Sequence, residues 1–291
     1  MSQPLATDAD PEPVRPTVVS MDGARPRRWL AVIVGLWALI LVAGIGWSVL
    51  NGRPTDREQT TVAAAQPYVD TAAARIAAAA EADGQAVASV SGFDRVGDCR
   101  VSLIRSGQRF QRVVTVLVAP GTEGALLGRV AVRLPASYQA TVSNSPVPTL
   151  VGDAGLYVRI LATRANPGVV RFVLDTGSCR VPGTLTTAAE PPGDRAAVTP
   201  VFDRLGLPPV QWHAFTVPCA GATGQLSTVE GFGPDNQVAT AAKLSSTLDG
   251  LGTPVVSSDG VYAYRSGSAA VGVRVENNHL VVSATEGCTA Q

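Results

Sequence analysis

The residues with the most distinctive chemistry are four cysteines and two histidines. They are Cys99, Cys179, Cys219, Cys288, His213 and His279. Two cysteines and two histidines are a ligand set for zinc, but their spacings match no zinc signature. An even number of cysteines, all on one side of a long apolar segment, instead predicts two disulfides in an oxidising compartment. We therefore predict no metal site.

A second candidate for chemistry is the segment FVLDTGSC, which ends at Cys179. Asp175 and the Thr-Gly-Ser that follows it resemble the active-site motif of aspartic proteases, in which two hydrophobic residues come before the aspartate. The resemblance implies a second aspartate, because two carboxylates must share a proton and a water. Residues 284–287 occupy the corresponding place later in the chain and align no aspartate, so a homodimer would have to supply it. Alternatively, the motif is a turn that leads to Cys179.

Residues 29–50 contain no charged side chain. As a helix they would be about 33 Å long, enough to span a hydrocarbon core of about 30 Å. Trp29 and Trp47 lie near the two ends, where indole rings favour the headgroup level. The apolar run exceeds the roughly 7–15 residues of a signal-peptide core. We predict an uncleaved, single-pass transmembrane helix.

The flanks of this segment predict its orientation. Three arginines come just before it (Arg25, Arg27 and Arg28), and two follow it (Arg53 and Arg57). The positive-inside rule then places the N-terminus in the cytoplasm. All four cysteines fall on the other side, which agrees with an extracytoplasmic location for the rest of the chain.

The chain divides into six segments. We predict a disordered cytoplasmic tail (1–28), a transmembrane helix (29–50), a connector with an Ala-rich helix (51–84), an α+β module 1 (85–181), a Pro/Gly-rich linker (182–204) and an α+β module 2 (205–291). The Ala-rich helix is predicted from Pro67 to Gly84, either as a stalk or packed on module 1. Its apolar stripe consists of Val69, Ala72, Ala73, Ile76 and Ala80.

Each module is predicted to contain mainly antiparallel strands and one helix. In module 1 the predicted strands cover residues 85–93, 99–104, 109–119, 138–143, 156–162 and 169–174, with a helix over 122–134. The alternation of Val130, Val132 and Leu134 leaves a strand as the alternative to this helix. In module 2 they cover 212–217, 225–230, 255–256, 261–264, 270–275 and 280–284, with a helix that starts at Asp235 or Asn236 and ends at Gly250. Asn277 and Asn278 form the last hairpin turn.

An internal repeat relates the two modules. VGDAGLYVRI from Val151 matches VSSDGVYAYR from Val256, and VVRFVLDTGSC ending at Cys179 matches HLVVSATEGC ending at Cys288. We infer two copies of one α+β module in tandem. The repeat favours disulfides Cys99–Cys179 and Cys219–Cys288, each joining a module's first strand to its last. Each bridge should stabilise its module by roughly 4 kcal/mol in the chain-entropy model.

The remaining composition excludes several functions. The formal net charge is zero, which argues against nucleic-acid binding. No motif predicts a cofactor, since the glycine-rich run from Gly121 lacks the Gly-Lys-Ser/Thr ending of a phosphate loop. Lys243 is the sole lysine among 23 basic residues, and this bias, with abundant Ala, Gly, Val and Pro, resembles proteins of actinobacterial, high-GC genomes.

These observations predict a non-enzymatic binding or scaffold role in a bacterial cell envelope. The expected partners are the membrane, through residues 29–50, and an envelope protein or glycan. One alternative is an envelope hydrolase of aspartic-protease type that uses Asp175, the single catalytic candidate. A second alternative is a transmembrane sensor, although the short tail offers no domain to receive a signal.

Overall fold

The computed structural model divides the chain into two compact units, Met1–Arg53 and Pro54–Gln291. The structure describes residues 28–51, 60–101, 105–177, 179–181, 183–185, 195–221, 223–235, 240, 242–276 and 278–288. The predicted disordered tail, most of the polar connector and the Pro-rich part of the predicted linker lie outside these described residues.

The first unit contains helix α1 (Arg28–Asn51). Its 24 residues make it about 36 Å long at a rise of about 1.5 Å per residue. The part from Trp29 to Trp47 is long and apolar enough to cross a membrane, and its side chains are exposed. A helix of this kind near an N-terminus fits a membrane span or a signal sequence.

The second unit begins with helix α2 (Val62–Glu81). Thr61 caps it, since its hydroxyl accepts a hydrogen bond from the backbone N–H of Ala64 at 3.0 Å. The helix therefore starts earlier than predicted, and Pro67 lies inside it rather than at its first turn. Proline has no backbone N–H to donate to the preceding turn. The Thr61 cap and the alanines after it nevertheless stabilise that turn, so the helix forms ahead of Pro67.

The sheet of module 1 has seven strands, and every pair between them is antiparallel. In chain order they are β1 (Ala86–Val90), β2 (Asp94–Arg100), β3 (Ser106–Val118), β4 (Thr141–Ser143), β5 (Thr149–Asp153), β6 (Arg159–Asn166) and β7 (Val169–Asp175). The order across the sheet is β1-β3-β7-β6-β5-β4, and β2 pairs with the first half of β3. Helix α3 (Glu123–Arg133) joins β3 to β4.

Four strands of this sheet depart from prediction. The strand predicted over residues 99–104 is β2, which runs from Asp94 to Arg100 instead. The strand predicted over residues 138–143 is reduced to Thr141–Ser143, because Ala136–Tyr138 form a 3-10 helix and Gln139 has φ 47°.

Strand β5 has no counterpart in the predicted set, because Gly152 interrupts its apolar pattern. The strand predicted over residues 156–162 begins at Arg159 instead. The residues before it form a turn in which Gly155, Leu156 and Tyr157 all have positive φ, at 88°, 50° and 61°. That left-handed backbone is incompatible with a strand.

The sheet of module 2 has six strands, also antiparallel throughout. In chain order they are β8 (Gln211–Pro218), β9 (Gln225–Phe232), β10 (Thr253–Ser258), β11 (Val261–Ser266), β12 (Ala269–Glu276) and β13 (His279–Glu286). Helix α4 (Thr199–Leu205) comes before β8, and helix α5 (Leu244–Leu248) lies between β9 and β10.

The helices of module 2 differ from prediction. Helix α4 begins within the predicted linker, and its Val201 and Phe202 are buried in the second core. The predicted cap residue Asn236 lies outside the described residues, and the described helical residues of the predicted helix are Thr240 and those of α5. Gly250 follows α5 with φ +84°.

The two sheets have the same topology. Read from β8, the second sheet has the order β8-β9-β13-β12-β11-β10, which matches β1-β3-β7-β6-β5-β4 position by position. This equivalence supports the inferred duplication and confirms an α+β fold with antiparallel sheets. Of the two sequence echoes, the one at the cysteines aligns β7 with β13, which are equivalent. The echo from Val151 and Val256 aligns β5–β6 with β10–β11, which are not.

Disulfides Cys99–Cys179 and Cys219–Cys288 form, with Cα atoms 5.7 and 5.5 Å apart. This is the pairing that the repeat favours. Neither bridge starts in the module's first strand: Cys99 lies in β2, and Cys219 lies between β8 and β9. In each module the bridge therefore links residues just before β3 or its equivalent β9 to the end of the last strand, β7 or β13.

The chain enters and leaves module 1 at neighbouring positions. Thr61, just before α2, forms an isolated parallel β-bridge with Val181, which lies two residues after Cys179. The backbone N–H of Val62 donates to the Val181 carbonyl at 3.1 Å. Helix α2 is therefore part of the folded module rather than a stalk.

Each sheet buries one face under its own helices. The predicted stripe of α2 is confirmed, since all five residues are buried against β1, β3 and neighbouring elements. Val114, Val116 and Val118 of β3 face this first core, and their neighbours Val113, Thr115 and Leu117 point to the opposite face. In module 2, α4 and α5 cover the core that contains Tyr262 and Tyr264 of β11.

Replacing Tyr264 with phenylalanine should make the free energy of unfolding fall less steeply as the pH rises above about 10. Burial, with a smaller effect from Tyr262, raises the pKa of Tyr264 to about 12, against about 10 in the unfolded chain. Its contribution to stability is therefore present below pH 10 and is lost as pH rises through 12. Urea midpoints at about pH 9 and 11 measure this slope. The exposed Tyr68→Phe is the control, and equal slopes in both variants would contradict the prediction.

Candidate functional site

A cleft of about 510 Å³ opens between the two sheets. It forms where the faces that carry no helices approach each other. Module 1 contributes Ser91, Asp94, Val113, Thr115 and Arg171, and module 2 contributes Val210, Gln211, Glu230, Phe232, Arg274, Glu276, His279 and Val281. The volume lies within the range of about 300–1,000 Å³ that is typical of small-ligand sites.

An apolar contact between the sheets closes one side of the cleft. Strands β1 and β3 lie against β10, β11 and β12, and they enclose a cluster of buried side chains. The cluster consists of Val87, Leu117, Val169, Val256, Val261, Ala263 and Ala270. Gly272 permits the close approach, because a Cβ there would lie 2.7 Å from Cδ1 of Leu117. The two modules are thus packed together around the cleft.

A network of two arginines and two glutamates lies in the cleft. Arg274 of β12 donates from Nε to Glu276 at 3.2 Å, and its Nη2 lies 3.5 Å from Oε1 of Glu230. Arg171 of β7 forms an ion pair with the same Glu276, which joins the two sheets. The Arg274 and Glu230 side chains are only 7% and 10% exposed, whereas that of Arg171 is 36% exposed. Arg274 and Glu230 form the floor, and Arg171 is nearer the mouth.

The two guanidinium groups influence each other. Burial lowers the pKa of Arg171, the nearby positive charge of Arg274 lowers it further, and Glu230 opposes both effects. Nη1 of Arg274 and Nε of Arg171 are buried without a hydrogen-bond partner among the described residues. A guanidinium has five N–H donors. The network therefore has more donors than the hydrogen bonds and ion pairs of its glutamates take up.

The ring of Phe232 lines the cleft beside this network, and His213 and Phe215 lie behind it outside the lining. Phe232 borders the cavity and makes an edge contact with His213 at a centroid distance of 5.5 Å. His213 also stacks on Phe215 at 5.8 Å, with the two rings nearly parallel. At the rim, Nδ1 of His279 lies 2.8 Å from Oδ1 of Asp235. The cleft thus combines charged, hydroxyl, amide and aromatic groups.

Asp175 lies at the end of β7 and not in the cleft lining. One carboxylate oxygen accepts a hydrogen bond from the N–H of Gly177 at 2.7 Å, and the other lies 3.6 Å from Nη2 of Arg159. The buried Thr176 accepts a hydrogen bond from the N–H of Phe110. These are the contacts of a turn that delivers the chain to the disulfide, while Ser178 lies outside the described residues.

The four cysteines and two histidines do not converge on one site. Because the cysteines are paired in two disulfides, their sulfurs are not thiolate ligands. His213 lies in the aromatic stack, and His279 contacts Asp235 at the rim of the cleft. The zinc set that the composition permits is therefore not assembled by the described residues.

Sequence reasoning missed the charged network entirely. A usable signal was present: Arg171, Arg274 and Glu230 each interrupt a run of apolar or small residues in a strand, and Glu276 ends one. Arg171 lies in VVRFVLD, Arg274 and Glu276 in AAVGVRVE, and Glu230 in QLSTVEGF. A charge in a half-buried strand is informative, because it is rarely buried without a partner.

No protein-family model matches the chain, and no curated protein matches it. Among solved structures, it is similar to the crystal structure of a DUF4853 family protein from Actinomyces odontolyticus ATCC 17982. The two are 13% identical with a TM-score of 0.33, and the match covers 59% of this chain and 94% of that one.

Proposed function

We propose that this protein is a non-enzymatic binding or scaffold component of a bacterial cell envelope. Helix α1 tethers it to the membrane as a single span with the N-terminus in the cytoplasm, and the two modules lie outside. The observation that carries the proposal is the cleft between the sheets, with its buried charged network. Two disulfides in the body support an oxidising location.

The cleft supports binding because both modules are needed to build it. Arg171 comes from module 1, whereas Glu276 and Arg274 come from module 2. Ordering charged side chains between two packed sheets opposes folding unless other contacts compensate. A cleft that keeps buried charged side chains despite their cost to the free energy of folding is a candidate binding site. For the aspartic hydrolase and the transmembrane sensor, the described residues offer no comparable feature.

Photocrosslinking in intact envelopes tests this proposal. A photoreactive amino acid replaces Gln211, which is exposed and lines the cleft, in the full-length protein. The same amino acid at Val132, on the outer face of α3 and 87% exposed, is the matched control. We expect a specific envelope component to be captured from position 211 and not from position 132. Capture of nothing from 211, or the same products from both positions, would reject the binding role.

A further inference from the structure

We infer that the cleft between the sheets binds a segment of glycan, with sugar hydroxyls on the Arg171–Arg274–Glu230–Glu276 network and a sugar ring against Phe232. This inference rests on the proposed binding function and specifies the chemical class of its ligand. Three features of the cleft support it: the charge balance of the lining, its hydrogen-bond donors and acceptors, and the ring of Phe232.

The charge balance of the lining disfavours a strongly charged ligand. Two arginines face three carboxylates, and both arginines already pair with glutamates. A polyanion such as nucleic acid requires an excess of positive charge, which this cleft lacks. A strongly cationic ligand would have to compete with Arg171 and Arg274 for Glu230 and Glu276, which leaves it Asp94 alone outside the network. The best match is a ligand that is polar but close to neutral.

Sugar hydroxyls match the donors and acceptors of the network. A hydroxyl both donates and accepts, so neighbouring hydroxyls can accept from a guanidinium and donate to a carboxylate. Arg274 gives two of its five donors to Glu276 and Glu230, and the carboxylates keep further lone pairs. Hydrogen bonds to charged groups are stronger than neutral ones. Thr115, Ser91 and Gln211 add neutral partners around the same space.

Phe232 supplies the apolar contact that sugar recognition needs. A pyranose ring has a face of C–H groups, and these carry slight positive charge that suits the negative face of an aromatic ring. Phe232 lines the cleft on the same side as Glu230, which is two residues away on β9. Because side chains alternate along a strand, these two groups present a stacking surface and a hydrogen-bonding group side by side.

Oligosaccharide titration of the full-length protein in detergent tests the inference. The probes are four separate tetrasaccharides, built from glucose, galactose, arabinose or N-acetylglucosamine, and each is titrated to about 10 mM so that weak binding is detected. We expect at least one to bind. We expect Arg171→Gln to weaken that binding about tenfold or more, through loss of a charge-assisted hydrogen bond. Arg159→Gln is the matched control, since Arg159 is also an ion-paired arginine of the first sheet but lies outside the cleft.

A second variant separates binding from folding. Gln211 is exposed at the rim, so Gln211→Ala should leave the urea midpoint unchanged and still weaken sugar binding severalfold. Equal affinities for Arg171→Gln and Arg159→Gln would overturn the glycan assignment. If no sugar binds but Gln211 crosslinks to a protein, the glycan inference fails and the binding function stands. If neither occurs, both fail.

Discussion

Replacing Gly177 with alanine is expected to destabilise the protein by at least about 3 kcal/mol. Gly177 has φ +75°, in the left-handed region, and a Cβ there would lie 1.9 Å from the carbonyl oxygen of Tyr157. The neighbour is backbone, so no rotamer change can relieve the clash. The turn must shift, and with it the chain that leads to the Cys99–Cys179 bridge.

Gly206→Ala is the matched control for this variant. Gly206 ends helix α4 with a similar φ of +66°, but a Cβ there would meet no atom of a non-neighbouring residue within 4 Å. It should therefore lose only about 1–2 kcal/mol from backbone strain. Gly287→Ala should behave like Gly177→Ala, because its Cβ would lie 2.1 Å from the carbonyl oxygen of Gln225. Urea unfolding of the full-length protein in detergent measures all three, and equal losses at 177 and 206 would contradict the prediction.

Replacing Asp70 with alanine should cost about 3–5 kcal/mol, since it leaves Arg112 buried without its carboxylate. Asp70 lies on α2 and Arg112 on β3, so the pair fastens the helix to the sheet. Nε and Nη2 of Arg112 lie 3.1 and 3.0 Å from Oδ1 of Asp70. Burial raises the pKa of Asp70 and lowers that of Arg112, and the attraction between the two opposes both shifts.

Asp83→Ala provides the contrast for Asp70→Ala. Asp83 follows the same helix and also pairs with arginines, Arg129 at 3.0 Å and Arg133. These partners are about one-third exposed, so water replaces the lost carboxylate and a much smaller loss is expected. Thermal and urea unfolding of both variants should separate them clearly. A loss at Asp83 as large as at Asp70 would show that burial of the pair does not govern its contribution.

The strands of both modules could be predicted where side chains alternate or where β-branched residues cluster. Strands β7 and β13 are examples, because each is a mainly apolar run that is followed within a few residues by a glycine and a cysteine. Strand β5 could not be predicted in this way, since it is short and carries Gly152. Helix α4 was hidden by the proline-rich segment before it, although its proline lies in the first helical turn, where proline is tolerated.

The disulfides were predictable, but the cleft was not. Cysteine count, compartment and repeat together favour the pairing that forms. The cleft instead depends on how two sheets pack against each other, and no local pattern specifies that packing. Arg171 and Glu276 are 105 residues apart in sequence, as their numbers show, and only the tertiary arrangement brings them together. Sequence periodicity identifies the faces of a sheet, but not which face meets which.

The bridge between Thr61 and Val181 has a mechanical consequence. Because the chain enters and leaves module 1 at adjacent backbone positions, the strands between them add almost nothing to the reach of the chain toward module 2. A pull on the chain ahead of Thr61 acts on α2 through the covalent chain and on Val181 through the backbone hydrogen bonding of this bridge. Tension between the chain ahead of Thr61 and module 2 therefore acts across this bridge at the edge of module 1, whereas a partner bound in the cleft would load the sheet itself through β3 and β7.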